Sequence, residues 1–323
     1  MGMLIEGRWS EDEREIADGC YHRASSVYAG DISAELADGL TQGHGRYWLI
    51  ASMSCQWSQR TLITRGLKSL QDRIPLQIAF GPRLQGYAVN GGKDWQLPGS
   101  NNRIQHLHQL YSQSDAGYTG SVTVPLIWDS LEQRILSNES ARIQRAFDAL
   151  PDAADLQLVP SSLVDEIDAL NADIHANFSN AVYEAGFAQS QAAYDDAVDR
   201  VFCQMDRLEA RLSRQRFLFG DVFTEADVNL FSTLVRFDSV YYLLHRCSKR
   251  RLVDYPNLWA YSRDLYSWPE IAATVDFDVI RQGSYQNDTQ NNPFRIVAAA
   301  PQADWSAPQQ RAQSGGADAC MAG

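Results

Sequence analysis

Two different patterns of apolar residues divide the chain. Between residues 45 and 150, short apolar runs alternate with amphipathic segments. This alternation is typical of a β-α-β unit with parallel strands, continued here by a helix, two more strands and a last helix. The predicted strands cover 47–51, 74–80, 122–129 and 132–136, and the predicted helices cover 57–70, 103–112 and the residues from 138 onward. The pattern therefore predicts an α/β domain.

From residue 160 onward the apolar positions follow helical spacing. Residues 151–160 are rich in Pro and Asp and mark the boundary between the patterns. An all-helical domain is expected over 160–275. Its predicted helices cover 163–183, 189–214, 224–247 and 256–266. Thr224 and Asp227 have the spacing of a capping box, which indicates a helix start rather than a binding site.

The two ends of the chain differ from both domains. Residues 1–44 are polar and charged, and we expect an extension that wraps over a core. Residues 276–323 carry Asn, Gln and Pro, and we expect an irregular tail that is disordered beyond about residue 309.

Composition and charge narrow the function. The 323 residues carry 28 basic and 40 acidic side chains, a net charge of −12, which argues against a nucleic-acid partner. The sequence has neither a signal-peptide pattern nor an apolar run of membrane-spanning length, so we expect a cytoplasmic protein without a membrane partner. The five cysteines are widely spaced and predict a reduced protein without a metal site; those around positions 203 and 247 have apolar neighbours that favour burial.

Cys55 is the best candidate for a reactive residue. It lies between the predicted strand 47–51 and the predicted helix 57–70. A thiol at a helix N-terminus faces backbone N–H groups and the positive end of the helix dipole, which favours the nucleophilic thiolate. Ser58 occupies the position of the second cysteine of a C-x-x-C pair, so a mixed disulfide at Cys55 needs an external thiol to resolve it. The alternative is a buried structural cysteine.

Local strings throughout the chain resemble a known family. A thioredoxin-like domain followed by a helical domain is the layout of cytosolic glutathione transferases, and the strings resemble the xi class, the glutathionyl-hydroquinone reductases. The matching strings include Ser54-Cys55-Gln56-Trp57-Ser58, Thr123-Val124-Pro125-Leu126, Asn138-Glu139-Ser140, Val182-Tyr183-Glu184-Ala185-Gly186 and Asp254-Tyr255-Pro256-Asn257. The resemblance covers residues 45 to 301.

The resemblance implies an activity, its partners and the residues of the site. Cys55 would attack the sulfur of a glutathionyl-hydroquinone, and glutathione, the co-substrate, would resolve the mixed disulfide. The thioether substrate is then the small-molecule partner, and a homodimer built through the helical domains is expected. The implied glutathione-binding residues are Trp95, Val124 beside a cis-proline, Glu139 and Ser140, and the implied catalytic or quinone-pocket residues are Tyr183, Tyr285, Trp57 and Tyr241.

Several of these roles have simpler alternatives. Glu139 and Ser140 also fit plain helix capping, Trp95 fits a loop aromatic that anchors a surface, and Tyr241 fits a core residue of a long helix. Tyr183 has the same core alternative.

The chain also departs from the family near the expected site. The family string Cys-Pro-Trp-Ala-His reads Cys55-Gln56-Trp57-Ser58-Gln59 here, and the family's His-Tyr-Tyr reads Gly283-Ser284-Tyr285. These changes leave open another thiol such as mycothiol, or a catalytically weak protein that binds aromatic ligands. A conjugating transferase that activates glutathione through Ser58 or a tyrosine is a third hypothesis.

Overall fold

The computed structural model describes residues 2–11, 15–41, 45–151 and 153–308. The predicted disorder beyond residue 309 lies outside these residues. The chain forms two compact units. The first unit comprises Met1–Ile16, His22–Leu156 and Thr274–Val297, and the second comprises Ala17–Tyr21, Gln157–Ala273 and Ala298–Gly323.

Between residues 45 and 150 the predicted elements occur in the predicted order: the strand at 47–51 has its predicted bounds and the other three predicted strands are shorter, while short strands at 95–96, 103–104 and 120–121 were not predicted. The strands are β1 Met3–Ile5, β2 Arg8–Ser10, β3 Glu15–Ala17, β4 Cys20–His22, β5 Tyr47–Ala51, β6 Leu76–Ile78, β7 Trp95–Gln96, β8 Arg103–Ile104, β9 Gly120–Ser121, β10 Leu126–Asp129 and β11 Arg134–Ser137. The α-helices are α1 Ser33–Thr41, α2 Gln56–Leu67, α3 Leu107–Ser114, α4 Ser140–Asp148, α5 Val164–Ile174, α6 Ala181–Phe187, α7 Gln191–Leu212, α8 Glu225–Leu234, α9 Pro256–Tyr266, α10 Pro269–Ala272 and α11 Phe277–Tyr285.

A four-stranded sheet of order β11-β10-β5-β6 organises the first unit. β5 and β6 are parallel, whereas β10 runs antiparallel to both β5 and β11. Successive residues of β5 point to opposite faces: Leu49 packs in the core cluster with residues of α2 and α4, and Ile50 packs in the cluster with residues of α3. This three-layer arrangement confirms the predicted thioredoxin-like domain.

The second unit is built mainly from helices α5 to α10, which confirms the predicted helical domain. The capping box is present: the backbone N–H and the hydroxyl of Thr224 both donate to the Asp227 carboxylate at the start of α8. The Leu218 N–H and the Tyr261 hydroxyl donate to the same buried carboxylate. None of the described helices is long and apolar enough to span a membrane.

Three expectations were wrong. The helix predicted over 224–247 ends at Leu234 and gives way to a π-helical turn, Phe237–Tyr241; beyond it the Cys247 N–H donates to the Tyr241 carbonyl oxygen, six residues back, a span that an α-helix cannot have. The tail expected to be irregular from Asp276 begins with α11, because the Asp276 carboxylate caps that helix. Cys203 is exposed on α7, whereas Cys247 is buried as expected.

Candidate active site

The candidate nucleophile lies at the junction of β5 and α2. Cys55 is the N-cap residue of α2 and is partly buried. Its thiol donates to the carbonyl oxygen of Val124, with an Sγ–O distance of 3.6 Å. The sulfur therefore lies beside the first turn of α2, whose N–H groups point towards that end of the helix.

Hydrogen bonds between serines hold the loop before Cys55. The Cys55 N–H donates to the Ser52 carbonyl oxygen, and the Ser52 N–H donates to the hydroxyl of Ser58, over 3.0 and 3.1 Å. The hydroxyls of Ser52 and Ser54 are also 3.0 Å apart. Ser58 is fully buried. A hydroxyl so enclosed cannot reach a thiol that arrives from solvent, which argues against Ser58 as an activating group.

The Val124–Pro125 peptide bond is cis, as the resemblance implied. Val124 is buried and lies two residues before the first residue of β10. Its carbonyl oxygen is the acceptor of the Cys55 thiol, so the backbone of this turn lies next to the sulfur.

A second polar cluster lies at the start of α4. Glu139 is the N-cap and accepts the Ala141 N–H at 3.2 Å and the Ser26 hydroxyl at 2.8 Å. Its carboxylate lies 3.6 Å from the Arg60 guanidinium, which also donates to the Ser140 hydroxyl. Burial opposes ionisation of Glu139, but Arg60 and these hydrogen bonds outweigh it and hold the pKa of the carboxyl below its ordinary value. The cluster therefore combines helix capping with the charges needed to bind an amino-acid end of a peptide.

Trp57 belongs to the same cluster. The guanidinium of Arg23 lies 4.7 Å from its ring centroid and that of Arg60 lies 5.1 Å from it. The indole is buried. Its position between two cations makes Trp57 a support for Arg60 more than an open wall for an aromatic substrate.

Trp95 lies in β7, which pairs with β8. Its ring packs edge-on against Trp48, with the ring centroids 6.1 Å apart. Trp48 is the second residue of β5, whereas Cys55 follows the far end of that strand. The contact favours the alternative that Trp95 anchors the surface of the first unit.

α11 packs closely on the loop that precedes the nucleophile. A Cβ atom built on Gly283 would lie 2.4 Å from the Ser54 Cβ atom and 2.7 Å from its Oγ atom. Tyr285 follows two residues later and so lies on a different face of α11. It is buried, and its hydroxyl has no hydrogen-bond partner among the described residues. The contact with the loop therefore comes from Gly283, not from Tyr285.

The other two candidate tyrosines lie in the second unit, where they contact each other. The hydroxyls of Tyr183 and Tyr241 are 3.2 Å apart. Tyr241 is fully buried, and the His245 ring packs against both tyrosines while its Nδ1 atom lies 2.8 Å from the Val182 carbonyl oxygen. Burial favours the core alternative for Tyr241, with its hydroxyl orienting that of Tyr183.

Comparison with known proteins agrees with both halves of the chain. A family model described as the glutathione S-transferase C-terminal domain matches residues 191–264. The chain is 39% identical over 327 residues to the glutathionyl-hydroquinone reductase YqjG of Escherichia coli, covering 96% of this chain and 98% of that protein. The chain belongs to the xi class of glutathione transferases. Another relative in this family is the glutathionyl-hydroquinone reductase PcpF of Sphingobium chlorophenolicum, 37% identical over 93% of this chain and 96% of its own.

Two solved structures of related proteins share the fold over nearly the whole chain. The glutathione-bound structure of YqjG has a TM-score of 0.81 at 38% identity and covers 96% of this chain and 99% of its own. The xi-class transferase from Natrialba magadii has a TM-score of 0.83 at 35% identity and covers 97% of both chains.

Sequence reasoning missed the arginines around the site. Arg60 is buried in a helix whose neighbouring residues, 56–64, carry no other charge. A charge in such a helix needs a buried partner, and this was the signal that could have linked Arg60 to an acidic residue elsewhere. Arg23 and Arg83 lie in segments with irregular structure, where no periodicity points to a role.

Proposed function

We propose that this protein is a thiol-dependent reductase that removes glutathione from glutathionyl-hydroquinones. The observation that carries the proposal is the placement of Cys55: its sulfur lies at the start of α2 and 3.6 Å from the backbone oxygen of Val124. Two relatives over nearly the whole chain bear the name glutathionyl-hydroquinone reductase.

The reaction has two steps. The Cys55 thiolate attacks the thioether sulfur, so that a disulfide forms between Cys55 and glutathione, the carbon–sulfur bond breaks, and the ring carbon takes the electron pair and a proton. A second glutathione thiolate then attacks the mixed disulfide, which releases oxidised glutathione and restores the Cys55 thiolate. The ring carbon thereby exchanges its carbon–sulfur bond for a carbon–hydrogen bond, and the glutathionyl group of the thioether leaves with one glutathione thiol as oxidised glutathione.

The residues around Cys55 suit the peptide part of the substrate. The backbone of Val124 can pair with the cysteinyl backbone of glutathione. Glu139 can receive the γ-glutamyl ammonium, while Ser140 and Arg60 can receive its carboxylate. We propose Tyr183 as a candidate catalytic residue, because its hydroxyl is oriented by that of Tyr241 and a phenol can donate a proton.

The deciding experiment follows release of the free hydroquinone from glutathionyl-menadiol. Glutathione and mycothiol are supplied in parallel, and Cys55→Ser is compared with wild type. We expect release with glutathione that is lost in Cys55→Ser. The matched control is Cys203→Ser, which removes an exposed thiol on α7 and should keep full activity.

The other outcomes separate the alternatives. Release with mycothiol but not with glutathione would identify mycothiol as the co-substrate and would leave the mechanism unchanged. Binding of the hydroquinone without release under either thiol would refute the reductase and favour a carrier of aromatic ligands. We also propose a homodimer, which light scattering of the purified protein would test.

A further inference from the structure

A cavity of about 110 Å³, lined by both polar and apolar groups, lies beside the nucleophile loop, entirely within the first unit. Three segments enclose it: the loop of Ser52 and Ser54, the chain after β6, and α11 with the residues that follow it. Ser54, which lines the cavity, directly precedes Cys55 in the chain, so the cavity lies one residue from the nucleophile along the loop. The reaction proposed above does not use it.

Arg83 supplies a cation to this cavity. Its guanidinium lies 4.0 Å from the centroid of the Tyr87 ring, and its Nη2 atom lies 3.4 Å from the Ser54 hydroxyl. The Arg83 N–H donates to the Asn287 side-chain oxygen at 2.8 Å, which ties this segment to the residues after α11. Among the described residues, no carboxylate lies within ion-pair distance of Arg83.

The other polar groups of the cavity suit an anion bound to an aromatic ring. Ser52 and Ser54 contribute hydroxyls, and Gln282 and Gln286 contribute side-chain amides. Guanidinium, hydroxyl and amide groups are all hydrogen-bond donors, and a planar guanidinium matches a carboxylate in two parallel hydrogen bonds. The rings of Phe80 and Tyr87 line the same space.

Electrostatics makes this local cation important. The protein as a whole carries a net charge of −12 and repels anions. A half-buried guanidinium is screened less by salt than a surface charge. Arg83 can therefore attract an anion at short range although the net charge of the whole protein repels it.

We propose that this cavity is a carboxylate subsite, with Arg83 as the specificity-determining residue, and that it selects glutathionyl-hydroquinones whose ring carries a carboxylate. This inference rests on the proposed reductase function. The second possible source of a carboxylate is the glycine end of glutathione; the aromatic lining favours the ring substituent.

Equilibrium binding tests the subsite without depending on turnover. The probes are dihydroxybenzoate and its methyl ester, which differ in charge and by one methyl group at the substituent, and their binding is measured by calorimetry. We expect the acid to bind at least about tenfold more tightly than the ester in wild type, the discrimination typical of a charged hydrogen bond. The ratio should fall towards one in Arg83→Gln and persist in part in Arg83→Lys. Arg103→Gln, which removes an exposed cation in β8, is the matched control for net charge and should keep the wild-type ratio.

A second arm compares glutathione with its glycine amide in the same variants. If Arg83 matters only for the preference for glutathione over its glycine amide, the subsite binds the glycine carboxylate of glutathione. That result would overturn the selection of carboxylated rings. Equal binding of acid and ester by wild type, or an unchanged ratio in Arg83→Gln, would overturn the subsite. The reductase proposal fails by a different result: hydroquinone release that is absent or independent of Cys55. The binding ratios can be measured in either case.

Discussion

The close approach of α11 to the nucleophile loop makes a quantitative prediction for Gly283→Ala. In a helix, alanine is more favourable than glycine by up to about 1 kcal/mol. Here the new Cβ atom would lie 2.4 Å from the Ser54 Cβ atom, which is fixed to the loop backbone and cannot swing away as the end of a long side chain would. Such overpacking costs about 1–3 kcal/mol. We therefore expect a net loss of about 1 kcal/mol in the free energy of unfolding, the difference between these two terms.

A double-mutant cycle isolates the contact. Ser54→Gly removes the two atoms that would lie 2.4 and 2.7 Å from the new methyl group, so Gly283→Ala should become neutral or stabilising in that background. The expected coupling between the two sites is about 2 kcal/mol. Urea unfolding followed by tryptophan fluorescence gives the four free energies. Iodoacetamide labelling of Cys55 measures in parallel whether the loop has moved. The same effect of Gly283→Ala in both backgrounds would refute the close approach.

Three further predictions concern stability and reactivity. Asp227→Asn should lower the free energy of unfolding by about 2–3 kcal/mol in urea titrations, because the new amide faces four buried donors; an unchanged midpoint would contradict this. Since the pKa of Glu139 is held below its ordinary value, its ionisation stabilises the fold above about pH 4.3 and this contribution is lost as pH falls through the folded pKa. Without the Arg60 charge the folded pKa of Glu139 should rise, so thermal unfolding of Arg60→Gln should show this loss of stability at a higher pH than wild type does. Identical pH profiles of the two proteins would argue against the Arg60–Glu139 ion pair. Burial raises the pKa of Cys247 to about 12, so iodoacetamide should label Cys203 in the native protein and Cys247 after unfolding; native labelling of Cys247 would refute its burial.

Local patterns predicted the framework of the site. β5 was predicted with its observed bounds because both faces of a central strand are buried, which leaves a continuous apolar run. The strand-to-helix position of Cys55 and the cis bond before Pro125 also follow from short strings, and the structure confirms both.

Contacts between segments far apart in the sequence could not be predicted in this way. The pair of Arg60 and Glu139 and the approach of Gly283 to Ser54 join different elements of the first unit. α11 was missed for a related reason: only Ile280 and Tyr285 of its residues are buried, so its composition resembles a polar tail. Its start was nevertheless encoded by Asp276, whose carboxylate accepts two N–H groups of the first turn.

The buried hydroxyl of Ser58 has a consequence for life under oxidants. A C-x-x-C protein can form an internal disulfide that is later reduced. Here the second position holds the buried hydroxyl of Ser58 instead of a thiol, so Cys55 cannot form that disulfide. An oxidised Cys55 sulfenic acid would continue towards the irreversible sulfinic acid unless a small thiol capped it first. The thiol pool would then protect the protein as well as serve its turnover, and survival of activity after peroxide exposure should follow the concentration of that pool.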